Sequence, residues 1–112
     1  MNPSRAEIWE VNLGEGKGHE QSGQRPGLIV SVNEFNHGPA GLVVVLPLTS
    51  VDKQIPWHVK IEPPEGGVTE ESYIKTEDIR SLSKSRLSSR WGEVSKTTMA
   101  DIKDRLRILL KV

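Results

Sequence analysis

The chain reads as a mainly β protein: a small barrel or strongly curved, mostly antiparallel sheet, closed by a C-terminal helix. Three observations predict this. Short apolar segments with alternating or continuous β-branched patterns recur between Ala6 and Val94. Connectors rich in Gly and Pro separate them. Only after Ser95 does the apolar period lengthen to that of a helix.

Ala6 to Leu13 alternates apolar and polar residues, as a half-buried strand does. Gly14-Glu15-Gly16-Lys17-Gly18 then breaks the pattern. This is either a mobile loop able to close over a substrate or a plain flexible hairpin connection. Gly27 to Val32 and Leu42 to Leu46 are continuous aliphatic runs and read as central strands. Asn33 to Gly41 between them is a turn-rich connector. Trp57 to Ile61 alternates again, Pro63 to Gly67 is a loop, and Ser72 to Thr76 and Arg90 to Val94 are short strands. Ser95 is placed to N-cap a helix whose Met99, Ile102, Leu106, Leu109 and Leu110 form one apolar face. No repeat or domain boundary interrupts residues 1–112, which predicts a single domain.

Composition narrows the function classes. Hydrophobic content is 35% and charged content 27%, ordinary for a soluble domain. With no Cys, disulfides and thiolate metal sites are excluded. Met1 to Arg5 is followed by no apolar segment, and no run approaches a membrane span, so a cytoplasmic protein without membrane attachment is expected. The 15 basic and 15 acidic residues cancel, which argues against charge-driven coating of nucleic acid. A local basic groove remains compatible with that balance.

Polar clusters beside the aliphatic runs carry the chemistry. Gly18-His19-Glu20-Gln21 and Gln24-Arg25-Pro26 precede one central strand, and Pro47-Leu48-Thr49-Ser50 ends another. His19, His37 and His58 lie far apart without a ligand-pair motif, so no metal or cofactor is expected. RNA cleavage by the substrate's own 2′-hydroxyl needs a base, an acid and cationic donors for the phosphorane. His19 has the side chain whose ordinary pKa lies nearest neutrality. Arg25 offers a planar fork to phosphate oxygens but is too basic to accept a proton. Thr49 and Ser50 can hydrogen-bond phosphate or a base edge. Glu77 can transfer protons if its surroundings raise its pKa. Each residue also has a plainer reading: His19 as loop surface, Arg25 as an ion-pair partner, Thr49-Ser50 as a turn, Glu77-Asp78 with Arg80 as a salt-bridged turn.

Taken in order, these motifs resemble the MazF/PemK/Kid family of toxin endoribonucleases over nearly the whole chain. Arg5-Ala6-Glu7-Ile8-Trp9 is similar to the family's R-G-E-I-W/Y opening. Gly18 to Gln21 with Arg25-Pro26 resembles its G-x-E-Q…R-P signature, and Glu34-Phe35-Asn36 its A-F-N segment. Pro47 to Ser50 is its P-L-T-S, and Glu77 to Leu87 is similar to its D/E-Q-I-R-T-I-D-K-x-R-L stretch.

The resemblance implies an SH3-like barrel of the CcdB/PemK kind, acting as a homodimer. It implies sequence-specific, metal-independent cleavage of single-stranded RNA, leaving 2′,3′-cyclic phosphate and 5′-hydroxyl ends, under control of a cognate antitoxin. The catalytic residues implied are Arg25, Thr49, His19 and Glu77. Those expected along the RNA path are Glu20, Gln21, Ser50, Lys53, Lys75, Asp78, Arg80 and Arg86. Three positions depart from the family pattern: Lys75 stands where one branch has an active-site Arg, Asp78 where Gln is usual, and Ser83 where Asp is frequent. The alternatives are a CcdB-like toxin that binds gyrase through its terminal helix, and an RNA-binding relic without catalysis.

Overall fold

The computed structural model describes residues 2–112. Its elements are β1 (Glu7–Asn12), β2 (Gln24–Ile29), the short α1 (Asn33–Asn36), β3 (Leu42–Thr49), β4 (His58–Ile61), β5 (Ser72–Lys75), β6 (Arg80–Ser83), β7 (Leu87–Glu93) and α2 (Lys96–Leu110). The strands pair antiparallel in the order β4-β5-β3-β2-β1-β7, with β6 also beside β3. The expected mainly β architecture is present as a strongly curled sheet that leaves β4 and β7 at the ends of the pairing order.

β3 organises the sheet. Its first half, Leu42 to Val45, pairs with β6, and its last residues, Leu48 and Thr49, pair with β5. Pro47, which has no N–H to give a ladder, sits where β3 changes partners. On the other edge Gly27, Leu28 and Ile29 of β2 face Pro47, Leu46 and Val45. Register shifts between β1 and β7, at Ile8/Trp9 and Glu10/Val11, add curvature.

Period-two alternation sends side chains to two apolar clusters. Ile8, Leu28, Leu46, Leu48, Ile74 and Ile102 join the larger one, inside the curl and under α2. Trp9, Val11, Ile29, Val43, Val45 and Leu87 form the second, on the opposite face. Because β2 and β3 supply both faces, their sequences are continuously apolar rather than alternating.

α2 starts where the sequence predicts. Ser95 Oγ accepts the Thr98 amide at 3.1 Å, and Glu65 adds a second clamp, its Oε2 accepting from the Ser95 amide at 3.0 Å and the Thr98 hydroxyl at 2.5 Å. Burial works against the Glu65 carboxylate, but these Ser95 and Thr98 bonds outweigh it and hold its pKa below the ordinary value. Ile102 is buried, with Met99 and Leu106 packed beside it. Leu110, expected on the same face, is exposed because the helix end runs past the core.

Other boundaries differ for identifiable reasons. β2 begins at Gln24 and ends at Ile29, since Ser31 and Asn36 bond each other and divert the chain into α1. The connector after β2 thus contains a helical turn. β6 carries only Leu82 as an apolar residue among Arg80, Ser81 and Ser83, so its sequence lacks a strand signal. β7 begins at Leu87, three residues before Arg90, on a stretch whose polar residues leave no alternation to see.

Candidate active site

Register alone brings the polar clusters onto one face. Gly27 is opposite Pro47, and Thr49 is opposite Tyr73, so Arg25, Thr49, Tyr73 and Lys75 project to the same side of β2, β3 and β5. His58 of β4 faces Lys75 and extends the row. Leu28, Leu48, Ile74 and Val59 point the other way into the larger core, which makes the platform rigid.

A cleft opens at the joined ends of β2 and β3. Arg25, Thr49 and Ser50 line it together with Thr69, Glu70, Ser72 and apolar walls from Pro26, Leu48, Val68 and Trp91. Arg25 is exposed, with its Nε donating to the Ser22 carbonyl at 3.3 Å. That bond occupies one donor of the guanidinium and leaves its terminal nitrogens facing solvent. Thr49 is buried, and its Oγ1 accepts the Val51 amide at 3.2 Å, which leaves the hydroxyl hydrogen for a ligand. Close backbone packing forms the far wall. Gly67 has φ +80°, and a Cβ there would lie 2.2 Å from the Trp91 carbonyl oxygen.

A second hollow is lined by His19, Glu20, Glu77 and Asp78. Glu77 Oε2 accepts a hydrogen bond from His58 Nε2 at 2.8 Å. The imidazole side chain is 3% exposed and the carboxylate 30%, so a buried group aims a group that reaches solvent. Bonding to a carboxylate oxygen puts the ring hydrogen on Nε2. Nδ1 is buried without a partner among the described residues.

The loop between β1 and β2 carries His19 and Glu20 across this face. Its neck is closed by Leu13 N to Gly23 O and Gly23 N to Gly14 O, each at 2.9 Å. Beneath it, Lys75 Nζ donates to the His19 carbonyl at 3.4 Å and to Gln21 Oε1 at 3.3 Å. Arg80 donates to the Gln21 carbonyl at 3.0 Å and to Asp78 Oδ1 at 2.7 Å. Asp78 Oδ2 accepts the Gln21 amide at 2.9 Å and lies 3.7 Å from Lys75 Nζ. The His19–Gln21 part of the loop is therefore docked onto the sheet, mainly through its backbone.

The sequence-predicted residues thus divide into groups. Arg25, Thr49 and Ser50 share the first cleft; His19, Glu20, Glu77 and Asp78 share the second hollow; Gln21, Lys75 and Arg80 lie under and within the loop. Lys53 stands apart, exposed in the β3–β4 connector. Arg86 is also exposed, before β7, and donates to the Asn12 carbonyl at 3.2 Å. Among the described residues no group of three or more His, Asp or Glu side chains is arranged to hold a metal. Sequence reasoning passed over His58, whose signal is its place on the polar side of an alternating strand. It also passed over Thr69, Glu70 and Trp91, which reach the cleft from distant segments and carry no local signal.

Comparison with known proteins agrees with this architecture. The family model of PemK-like, MazF-like toxins of type II toxin–antitoxin systems matches residues 4–110. The endoribonuclease MazF9 of Mycobacterium tuberculosis is 32% identical over 111 residues, covering 95% of this chain and 94% of its own. The crystal structure of MazF from Deinococcus radiodurans superposes with a TM-score of 0.88 at 28% identity, covering 100% of this chain and 99% of the other. An endoribonuclease in complex with its cognate antitoxin, from a mycobacterial species, superposes with a TM-score of 0.81 at 31% identity, covering 98% and 96%. The motif order and the curled sheet lead to the same conclusion: the chain belongs to the PemK-like, MazF-like toxin family of type II toxin–antitoxin systems.

Proposed function

We propose that this protein is an endoribonuclease toxin that cleaves single-stranded RNA at specific sequences without a metal ion. The observation that carries the reading is Arg25 and Thr49, from adjacent strands, lining one cleft. The guanidinium and the hydroxyl are the donors for the phosphate oxygens, and Ser50 adds a further donor at the rim. The 2′-hydroxyl oxygen attacks phosphorus as its proton leaves, the bond to the 5′-oxygen breaks, and that oxygen takes up a proton. The products are a 2′,3′-cyclic phosphate and a 5′-hydroxyl. Glu77, aimed by His58, is the base, and His19, which lines the same hollow, is the acid.

The RNA path extends from the cleft along the loop that carries Glu20 and Gln21, with exposed Lys53 and Arg86 drawing in the backbone. Two protomers form the working unit, and a cognate antitoxin covers the site in the cytoplasm. Two of the named relatives are endoribonucleases and one of these is bound to its antitoxin, which supports this assignment. The same relatives disfavour the gyrase-binding reading, whose contacts would fall on α2 rather than on the polar face of the sheet.

Incubation of the purified protein with a long mixed-sequence RNA in excess EDTA tests the reading. Cuts at discrete sites with cyclic-phosphate ends are expected. Intact RNA together with a block of gyrase supercoiling would establish the alternative, and RNA retention without cuts would indicate a binding protein that has lost catalysis.

A further inference from the structure

Lys75 and Arg80 are two cations on the candidate RNA face, yet neither is presented to a ligand. The Lys75 side chain is 3% exposed and that of Arg80 17%, between them bonding the backbone carbonyls of His19 and Gln21 and the side chain of Gln21. Asp78, 13% exposed, stands between them, with one oxygen on Arg80 and the other on the Gln21 amide near Lys75.

Burial on this scale is costly for a charge unless its partners compensate it. Lys75 has three donors and three acceptors around it: the His19 carbonyl, Gln21 Oε1 and the Asp78 carboxylate. Two of its donors are taken by hydrogen bonds, and the Asp78 carboxylate faces the ammonium as an ion pair 3.7 Å away, all from within the chain. A phosphate reaching Nζ would first have to displace the loop. Apart from Gln21 Oε1, the loop atoms held by Lys75, Asp78 and Arg80 are main-chain atoms of His19 and Gln21, so the contacts set where the loop lies.

We propose that Lys75, Asp78 and Arg80 form a clamp that positions the Lys17–Gly23 loop, holding His19 and Glu20 over Glu77, and that the two cations are not RNA-contacting groups. Asp78 is the centre of the clamp, because of the three it is the one that touches the loop and both of the others. It is a positioning residue. The Gln usual at this place in the resembling family lacks the charge that Lys75 and Arg80 compensate here. This inference rests on the RNA-cleaving reading only for what the loop does; the clamp itself is a statement about the free protein.

Hydrogen exchange on the free protein, combined with RNA binding, tests it in Asp78→Gln and Lys75→Met. The informative amides are those of Lys17 and Glu20, which bond within the loop and touch neither substituted residue. Both should exchange at least about tenfold faster in each variant, while Val43 to Val45 in β3 keep their protection. Lys75→Met keeps side-chain length without burying a charge, so the question stays decidable if Asp78→Gln folds poorly. The binding probe is a mixed-sequence single-stranded oligonucleotide with 2′-O-methyl groups, which cannot be cut by 2′-hydroxyl attack. A phosphate contact by Lys75 would lower the slope of log affinity against log salt by about 0.7 in Lys75→Met. The clamp predicts an unchanged slope. Unchanged loop exchange in both variants, or a slope reduced by that amount, overturns it. Failure of the wild-type protein to bind the oligonucleotide would instead count against the RNA reading, with the exchange result still deciding the clamp.

Discussion

His58 Nε2 bonds Glu77 Oε2 at 2.8 Å across two segments that are 19 residues apart in sequence. The ring is fixed by its burial, so the carboxylate inherits a fixed direction. If Glu77 is the base, Glu77→Gln lowers kcat by about 10²–10⁴. His58→Gln should lower it less, because the carboxylate remains but wanders. In the double variant the His58 change should add nothing further, since its effect runs through Glu77. Multiplying losses in a single-turnover assay would mean that His58 acts by another route.

Arg25→Ala and Thr49→Ala each remove a donor from the phosphate cleft, and each should reduce single-turnover cleavage by about 10²–10³. Arg25→Lys should recover only part of the loss, because an ammonium cannot make the paired contact of a guanidinium. Melting temperature serves as the control for Arg25, which is exposed. Wild-type rates in both alanine variants would move the phosphate out of this cleft.

Glu65 predicts an acid limb in stability. Its carboxylate pKa in the folded chain lies below the ordinary 4.5, against burial, through the Ser95 and Thr98 bonds. A depressed folded value means the contribution is complete above the ordinary value and is lost as pH falls through the folded one. Glu65→Gln should lower stability at pH 7 by roughly 1 kcal/mol and flatten the loss between neutral and acid pH. Thermal melts from pH 7 to 3 decide this: parallel curves for the two proteins would sink the idea. Glu7, also held low despite burial by bonds from Trp9, Arg90 and Ser4, leaves a residual acid limb of the same sign.

Gly67 joins stability to the cleft wall. Its φ of +80° is unfavourable for a side chain, and an added Cβ would strike the backbone of Trp91. Gly67→Ala should cost roughly 2 kcal/mol or more. Because Trp91 lines the cleft, the variant should also raise KM for RNA when assayed well below its melting temperature. An unaltered melting temperature would show that the 65–67 turn can shift away from β7.

Several features were legible because they are local. Apolar period reports which face of a segment is buried, so β1, β3, β4, β5 and the start of α2 at Ser95 follow from neighbouring residues. Arg25 and Thr49 were legible as functional groups because each borders an aliphatic run in a short motif. β6 was not, since Arg80, Ser81 and Ser83 become a strand only through their pairing with β3.

The sequence by itself determined the order of strands, the helix at the end and the polar clusters at strand mouths, all properties of period and composition. Tertiary structure decided what those clusters do together. Lys75 reads as a free cation in a list of residues, yet antiparallel register places it beside His58, and the returning loop buries it against its own carbonyls. His58 reads as a scattered histidine until it meets Glu77. Such partners are brought together by pairing of segments remote in sequence, and no local pattern of residues records which distant group will fill a hydrogen bond.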